Sequence, residues 1–172
     1  MSRRDSCIFT GMITCLQPNQ ILVFGSNASG FHGAGAAGFA CRGTSQNTWR
    51  HDEWFLKAMK SPVGSTERVG KWAIFGHARG LQQGREGRSY AIVTIKHPGQ
   101  RRSIPLSEIQ AQFVDLCSCC HSNPQSEFLF TAVGSGLAGY TAAEMLATFR
   151  AALKQSGGKP ANLVLPQDLY SA

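Results

Sequence analysis

Residues 21–40, ILVFGSNASGFHGAGAAGFA, carry the reading on which the fold turns. They open on the apolar run Ile21 to Phe24, pass through glycines at 25, 30, 33, 35 and 38, and end in an alanine-rich stretch able to form a helix. That order predicts a buried strand, a glycine loop and a helix start. Glycine lets backbone come close to a bound group, and a helix start offers free N–H groups, so the segment is an anion cradle in outline. The competing reading has the glycines serve only tight turns and close packing, at a considerable loss of chain entropy.

Gly33, Gly35 and Gly38 literally satisfy G-x-G-x-x-G, and Glu53 lies where a ribose-binding acid would sit. The context refuses the match. In a dinucleotide fold the first glycine follows the strand at once, whereas here a whole loop separates Phe24 from Gly33. Nor does 44–54, TSQNTWRHDEW, read as a strand that would deliver Glu53. A P-loop, with its lysine and magnesium hydroxyl, is absent as well.

Outward from this segment, short apolar runs predict further strands at Trp72 to Phe75, Tyr90 to Thr94, Phe128 to Val133 and Leu163 to Leu165. A helix is expected over Leu106 to Cys120, with Ile109, Phe113, Leu116 and Cys120 on one face and Ser107 as its cap. A second, over Ala142 to Lys154, has the stripe Met145, Leu146, Phe149, Ala152 and Leu153. Thr141 and Glu144 form a capping-box pattern at its start, and SGGKP stops it. Strand, helix and strand from 128 to 165 make a βαβ unit, so the class is α/β with a parallel pair. Ser61 to Arg68 reads as a loop, and Gly76 to Arg88 as a long glycine and arginine loop whose Arg79, Arg85 and Arg88 would suit a phosphate clamp.

Residues 128–145, FLFTAVGSGLAGYTAAEM, repeat the first pattern: a strand breaks into Gly134, Gly136 and Gly139 just before a helix. Two such loops can lie side by side at the carboxyl ends of neighbouring parallel strands, where open α/β sheets bind ligands. A diphosphate would fit between them. Tyr140 either stacks on a ribose or base or packs into the core.

The pair GSNASGFHGAGAAG and VGSGLAGY resembles the two ligand loops of macrodomains, the ADP-ribose-binding fold. The resemblance covers most of the chain and implies a three-layer macrodomain-like sandwich, with a central mixed, mostly parallel sheet flanked by helices. It implies ligand contacts from Gly25, Ser26, Asn27, Gly30, Gly33, Ala34, Gly35 and Ala36 in the first loop. In the second it implies contacts from Gly134, Ser135, Gly136, Leu137, Ala138, Gly139 and Tyr140. Asn27 stands at the family's ribose-side asparagine. A branch that removes ADP-ribose from proteins or DNA carries a lysine after the central strand, and YAIVTIKHP offers Lys96. This lysine comes one residue late, and Ala138 stands where some members have an acid. His32 is the base that the first loop could supply, since imidazole titrates near neutral pH.

The whole chain sets outer bounds. A length of 172 residues, 42% hydrophobic and 16% charged, suits a single domain over 1–172. The charge of +7 favours polyanion partners, although the basic residues lie in pairs that a solvated surface would also explain. Aromatic and basic residues interleave at Phe31 and His32 and at Trp49, Arg50, His51 and Trp54, where they could stack nucleobases; core packing is the other reading of the tryptophans. The six cysteines are expected to be reduced. Cys117, Cys120 and His121 share a helix face but lack a second ligand cluster, so neither metal nor cofactor is expected. No apolar run is long enough for a membrane helix and no export signal is evident, so a cytoplasmic protein is expected.

The expected function is binding of ADP-ribose or a related diphosphate nucleotide, with hydrolysis of ADP-ribose from a modified macromolecule as its enzymatic extension. The alternative is a non-enzymatic module that senses or sequesters a nucleotide, or binds RNA.

Overall fold

The computed structural model describes residues 8, 9, 12, 13, 15–131 and 138–165. Its centre is β3 (Gln20–Asn27), an eight-residue strand paired in parallel with β5 (Arg88–Ile95) on one side and β6 (Glu127–Phe130) on the other. Strand β7 (Leu163–Val164) continues the sheet in parallel beyond β6, and β4 (Gly80–Gln83) closes the far edge antiparallel to β5. The resulting order is β4-β5-β3-β6-β7. Two short strands, β1 (Ile8–Phe9) and β2 (Met12–Ile13), pair separately as an antiparallel ribbon.

Side chains of β3 alternate between two cores, as a strand with both faces covered requires. Ile21 and Val23 join a cluster with Phe128, Phe130, Tyr90 and Ile92 under helices α3 (Leu106–Ser122) and α4 (Ala142–Gln155). Leu22 and Phe24 face the other way, onto Trp72 and the small residues Ala37, Ala40 and Cys41 of helix α1 (Gly35–Arg42). The fold is therefore a three-layer α/β sandwich around a mixed, mostly parallel sheet. A fourth helix, α2 (Glu53–Lys60), is capped by Asp52, whose side chain accepts the Phe55 N–H. Among the described residues, no helix is long and apolar enough to cross a membrane.

The βαβ unit forms as expected, with Phe128 opposite Leu163 and both halves of the Thr141 and Glu144 capping box present. The expected strand end at 132 and 133 lies outside the described residues.

Several local expectations are corrected. Trp72 to Phe75 is not a sheet strand: its one ladder contact is a bridge between Val69 and Ile74. Instead Lys71 donates to the Cys41 carbonyl at 2.9 Å and Trp72 to the Ala40 carbonyl at 2.7 Å. This buried stretch thus serves carbonyls at the end of α1 that have no partner within the helix. The 76–88 loop in turn contains β4, a turn closed by Gly84 N–H to Gly87 O at 2.8 Å, and the start of β5. Its arginines form no clamp: Arg79 pairs with Asp115, Arg85 lies over Trp54, and Arg88 bonds Ser126. Pro105, not Ser107, stands at the N-cap of α3, without a side-chain cap bond. Cys15 is disulfide-bonded, against the expectation of six reduced thiols, while Cys41, Cys117, Cys119 and Cys120 are free. Burial pushes the Cys41 and Cys120 thiols up to about 12, which leaves both poor nucleophiles near neutral pH.

Candidate functional site

A cavity of about 680 Å³ opens at the carboxyl ends of β3 and β5. Gly25, Ser26 and Asn27 of β3 contribute to it, together with Thr94 and Ile95 of β5. Phe31, Gly33 and the start of α1, Ala34 to Ala37, form one side; Asn47, Trp49 and Arg50 line it from a separate segment, and Pro98, Gly99 and Ala138 complete the lining. No carboxylate lines it among the described residues, and Arg50 is the one ionisable side chain that does.

The glycine loop is shaped by Asn27. Its Oδ1 accepts the Phe31 N–H at 3.0 Å and the Ser29 hydroxyl at 2.6 Å, while Nδ2 donates to the Phe31 carbonyl at 2.8 Å. One amide thereby closes residues 27–31 into a compact turn. Within it Gly30 has φ +69, and a Cβ there would come within 2.4 Å of the Gly76 backbone, so glycine is required twice over. Gly33 is needed for approach: its Cβ would meet the Phe31 ring at 2.7 Å and the Trp49 ring at 3.0 Å.

The turn aims the first turn of α1 at the cavity. Ala34 is the N-cap, extended at φ −148 and ψ 176, with no side-chain cap bond and no acidic residue in the first turn. The Gly35 N–H is used by the Ser45 carbonyl at 2.9 Å. Those of Ala36 and Ala37, both lining residues, have no acceptor inside the helix. An uncapped helix start facing an open cavity is an electropositive surface.

The aromatic side is continuous with the core. The Phe31 ring stands edge-on to Trp49 at 5.0 Å and to Phe55 at 5.4 Å, and the Arg50 guanidinium lies 4.3 Å from the Trp49 ring centre. Trp49 is thus a packing residue on one side and a lining residue on the other. Asn47 and Gly99 are lining residues that no motif or periodicity in the sequence picks out, and Thr94 and Pro98 line it from the segment YAIVTIKHP, in which the sequence singles out only Lys96.

Not every expected site residue arrives here. His32 is fully buried beneath the loop, its Nε2 3.0 Å from the His77 carbonyl and its ring edge-on to Phe24. Burial lowers its pKa to about 4, so it is neutral near pH 7 and does not line the cavity as the expected base would. Lys96 is exposed just past the end of β5; it neighbours the lining residue Ile95 without lining the cavity itself. Gly30 turns the chain but does not line the cavity. Gly139 packs against Arg101, and Tyr140 is a core residue whose hydroxyl donates to the Ile104 carbonyl at 2.5 Å. Gly134, Ser135, Gly136 and Leu137 lie outside the described residues. Among the described residues, no group of three or more His, Cys, Asp or Glu could hold a metal ion.

No family model matches this chain, and no curated protein sequence does. Solved structures do match. The chain is similar to the macrodomain of Mycobacterium tuberculosis DarG, with 19% identity, 91% of this chain and 93% of that chain covered, and a TM-score of 0.52. It is also similar to the Oceanobacillus iheyensis macrodomain with MES bound, with 14% identity, 88% and 77% covered, and a TM-score of 0.50. The fold is macrodomain-like, as the two glycine segments imply.

Proposed function

We propose that the cavity binds ADP-ribose or a closely related diphosphate nucleotide, with the diphosphate against the open start of α1. The observation that carries this reading is the Ala34 to Ala37 helix start, which has no side-chain cap and no acid in its first turn and faces a cavity that no carboxylate lines among the described residues. A group with two negative charges complements it. The likeness to macrodomains supports the same choice, since ADP-ribose binding is what that family implies. In this reading Gly134 to Leu137 are ligand-contacting residues, as the resemblance implies, and Trp49 and Phe31 supply an apolar face for a sugar or base.

Calorimetric titration with ADP-ribose tests the proposal, and Ala36→Asp sharpens it. A carboxylate in the first turn suits the helix and is expected to leave the melting temperature unchanged or higher. It repels a diphosphate a few ångströms away, so affinity should fall roughly a hundredfold, or about 3 kcal/mol. Absence of binding at millimolar ADP-ribose, or tight binding by Ala36→Asp, overturns the reading.

Release of ADP-ribose from a modified macromolecule is the enzymatic extension, with Asn27 and Lys96 as its residues. Asn27 would act by holding the loop in shape, and Lys96 from the cavity rim. Unchanged release rates in both Asn27→Ala and Lys96→Ala remove them from any mechanism. One observation favours the non-enzymatic reading instead: among the described residues, no carboxylate or histidine lines the cavity to activate a water. Binding of ADP-ribose with no release from any modified carrier would decide for it.

A further inference from the structure

The cavity side formed by Asn47, Trp49 and Arg50 belongs to a connecting segment whose own regular structure is a single short turn, Trp49–His51. Its position traces to a buried charge outside the cavity. Arg42, in the last turn of α1, has 1% of its side chain exposed. Its Nη1 donates to Asp52 Oδ2 at 3.1 Å, and its Nη2 donates to the Gly33 carbonyl at 3.0 Å and the Gln46 carbonyl at 2.6 Å. The other Asp52 oxygen accepts the Phe55 N–H at 2.8 Å and so fixes the start of α2. One guanidinium therefore joins the glycine run, the residue before Asn47, and the residue that follows the Trp49–His51 turn.

Burying an ion pair of this kind adds little stability over an apolar pair of the same volume, because desolvation offsets the attraction. What it fixes here is geometry. A planar fork spreads its donors over separate nitrogens in a fixed geometry and so reaches three acceptors that lie apart, whereas a lysine has to serve them all from one ammonium nitrogen on a flexible stem. We propose that Arg42 and Asp52 are a positioning pair: they set the spacing between the glycine run and the Asn47 to Arg50 wall, and through it the cavity's affinity for its ligand. Neither residue lines the cavity. The proposal rests on the ADP-ribose reading for its ligand, but not for its geometry.

The test uses the full chain, ADP-ribose calorimetry and thermal melting, with Phe149→Leu as a control that destabilises from the opposite face of the sheet. Arg42→Lys is expected to weaken ADP-ribose about tenfold, in the range of coupled neighbours, while Phe149→Leu lowers the melting temperature and leaves the dissociation constant alone. In a Trp49→Leu background the loss from Arg42→Lys should largely disappear, because the wall that it positions is already altered. Wild-type affinity in Arg42→Lys, or an equal loss in both backgrounds, overturns the proposal and leaves Arg42 a purely structural residue. If the wild type itself fails to bind ADP-ribose, the functional reading falls alone, and fluorescence decides the geometry. The Trp49 signal, taken as wild type minus Trp49→Leu, should become more accessible to acrylamide in Arg42→Lys; unchanged quenching overturns the positioning role. Should Arg42→Lys not fold, Asp52→Asn carries the same measurements.

Discussion

Two strand-to-helix junctions in this protein share an order and differ in how the helix is finished. At the start of α4, the Thr141 hydroxyl accepts the Glu144 N–H at 3.0 Å, and the Glu144 carboxylate accepts the Thr141 N–H at 3.1 Å. Arg102 closes over the same carboxylate with two bonds of 2.7 and 3.0 Å, which hold the Glu144 carboxyl below its ordinary range. At the start of α1 there is only Ala34, extended and without a side chain to offer. The α4 junction carries its own anion; the α1 junction leaves the place open and faces a cavity. A glycine run before a helix marks both in the sequence, and the capping residue tells them apart.

The two sides of the sheet extend the contrast. The α4 side is dense with aromatic rings: Phe149 lies 4.6 Å from Phe130 and 5.4 Å from Phe113. On the α1 side the helix itself meets the sheet through Ala37, Ala40 and Cys41, while the rings of that side, Phe31, Trp49 and Phe55, pack together from the loop segments, and space is left at the strand ends. If this division is real, Phe149→Ala should lower stability by about 4 kcal/mol in denaturant unfolding, the range for a buried phenylalanine. The folded fraction should bind ADP-ribose as the wild type does. A weakened dissociation constant would break the division, because it would make the α4 side part of the binding machinery.

On the α1 side the corresponding weak point is His32, buried without a charge. The unfolded chain binds its proton near 6.5 and the folded protein only near 4, so stability is whole above that window and falls as the pH drops through it. The full loss between those values is about 3 kcal/mol, at 1.36 kcal/mol per pKa unit. Unfolding measured at pH 7 and at pH 4 should show most of this difference vanish in His32→Gln. A pH dependence that persists unchanged in that variant would place its source elsewhere, with the capped Glu144 the first group to examine.

The parts of this fold that were legible in the sequence are those whose signals are local. Strand β3 reads as a continuous apolar run, α3 and α4 by their stripes, and the α4 start by Thr141 and Glu144, because each is decided by residues within a few positions. The same rules misread Trp72 to Phe75, whose apolar residues are buried while its backbone serves α1 rather than a sheet. They passed over β4 because an edge strand with the single buried side chain Gln82 has no apolar pattern to show. At the site, the glycine run stood out by composition, and Asn27 by the resemblance to macrodomain ligand loops. Asn47 and the spacing of Trp49 did not, since they are set by Arg42 reaching across to Gly33 and Asp52, and non-local hydrogen bonds leave no period behind. His32 was legible as a residue with a useful pKa and illegible as a buried one.

The finest test of the two junctions exchanges their endings. Thr141→Ala removes the α4 cap and should lower stability by about 1 kcal/mol without touching ADP-ribose affinity. Ala34→Ser does the reverse: the N-cap backbone is already extended, as a capping residue requires, so a serine hydroxyl can accept a first-turn N–H and raise stability by about 0.5 kcal/mol. The same bond occupies a donor that the diphosphate would use, so ADP-ribose should bind severalfold more weakly. Stability and affinity therefore move in opposite directions in Ala34→Ser, whereas Thr141→Ala moves stability alone. If Ala34→Ser gains stability and binds ADP-ribose as well as the wild type, the open start of α1 is not where the diphosphate sits, and the contrast between the two junctions is one of architecture alone.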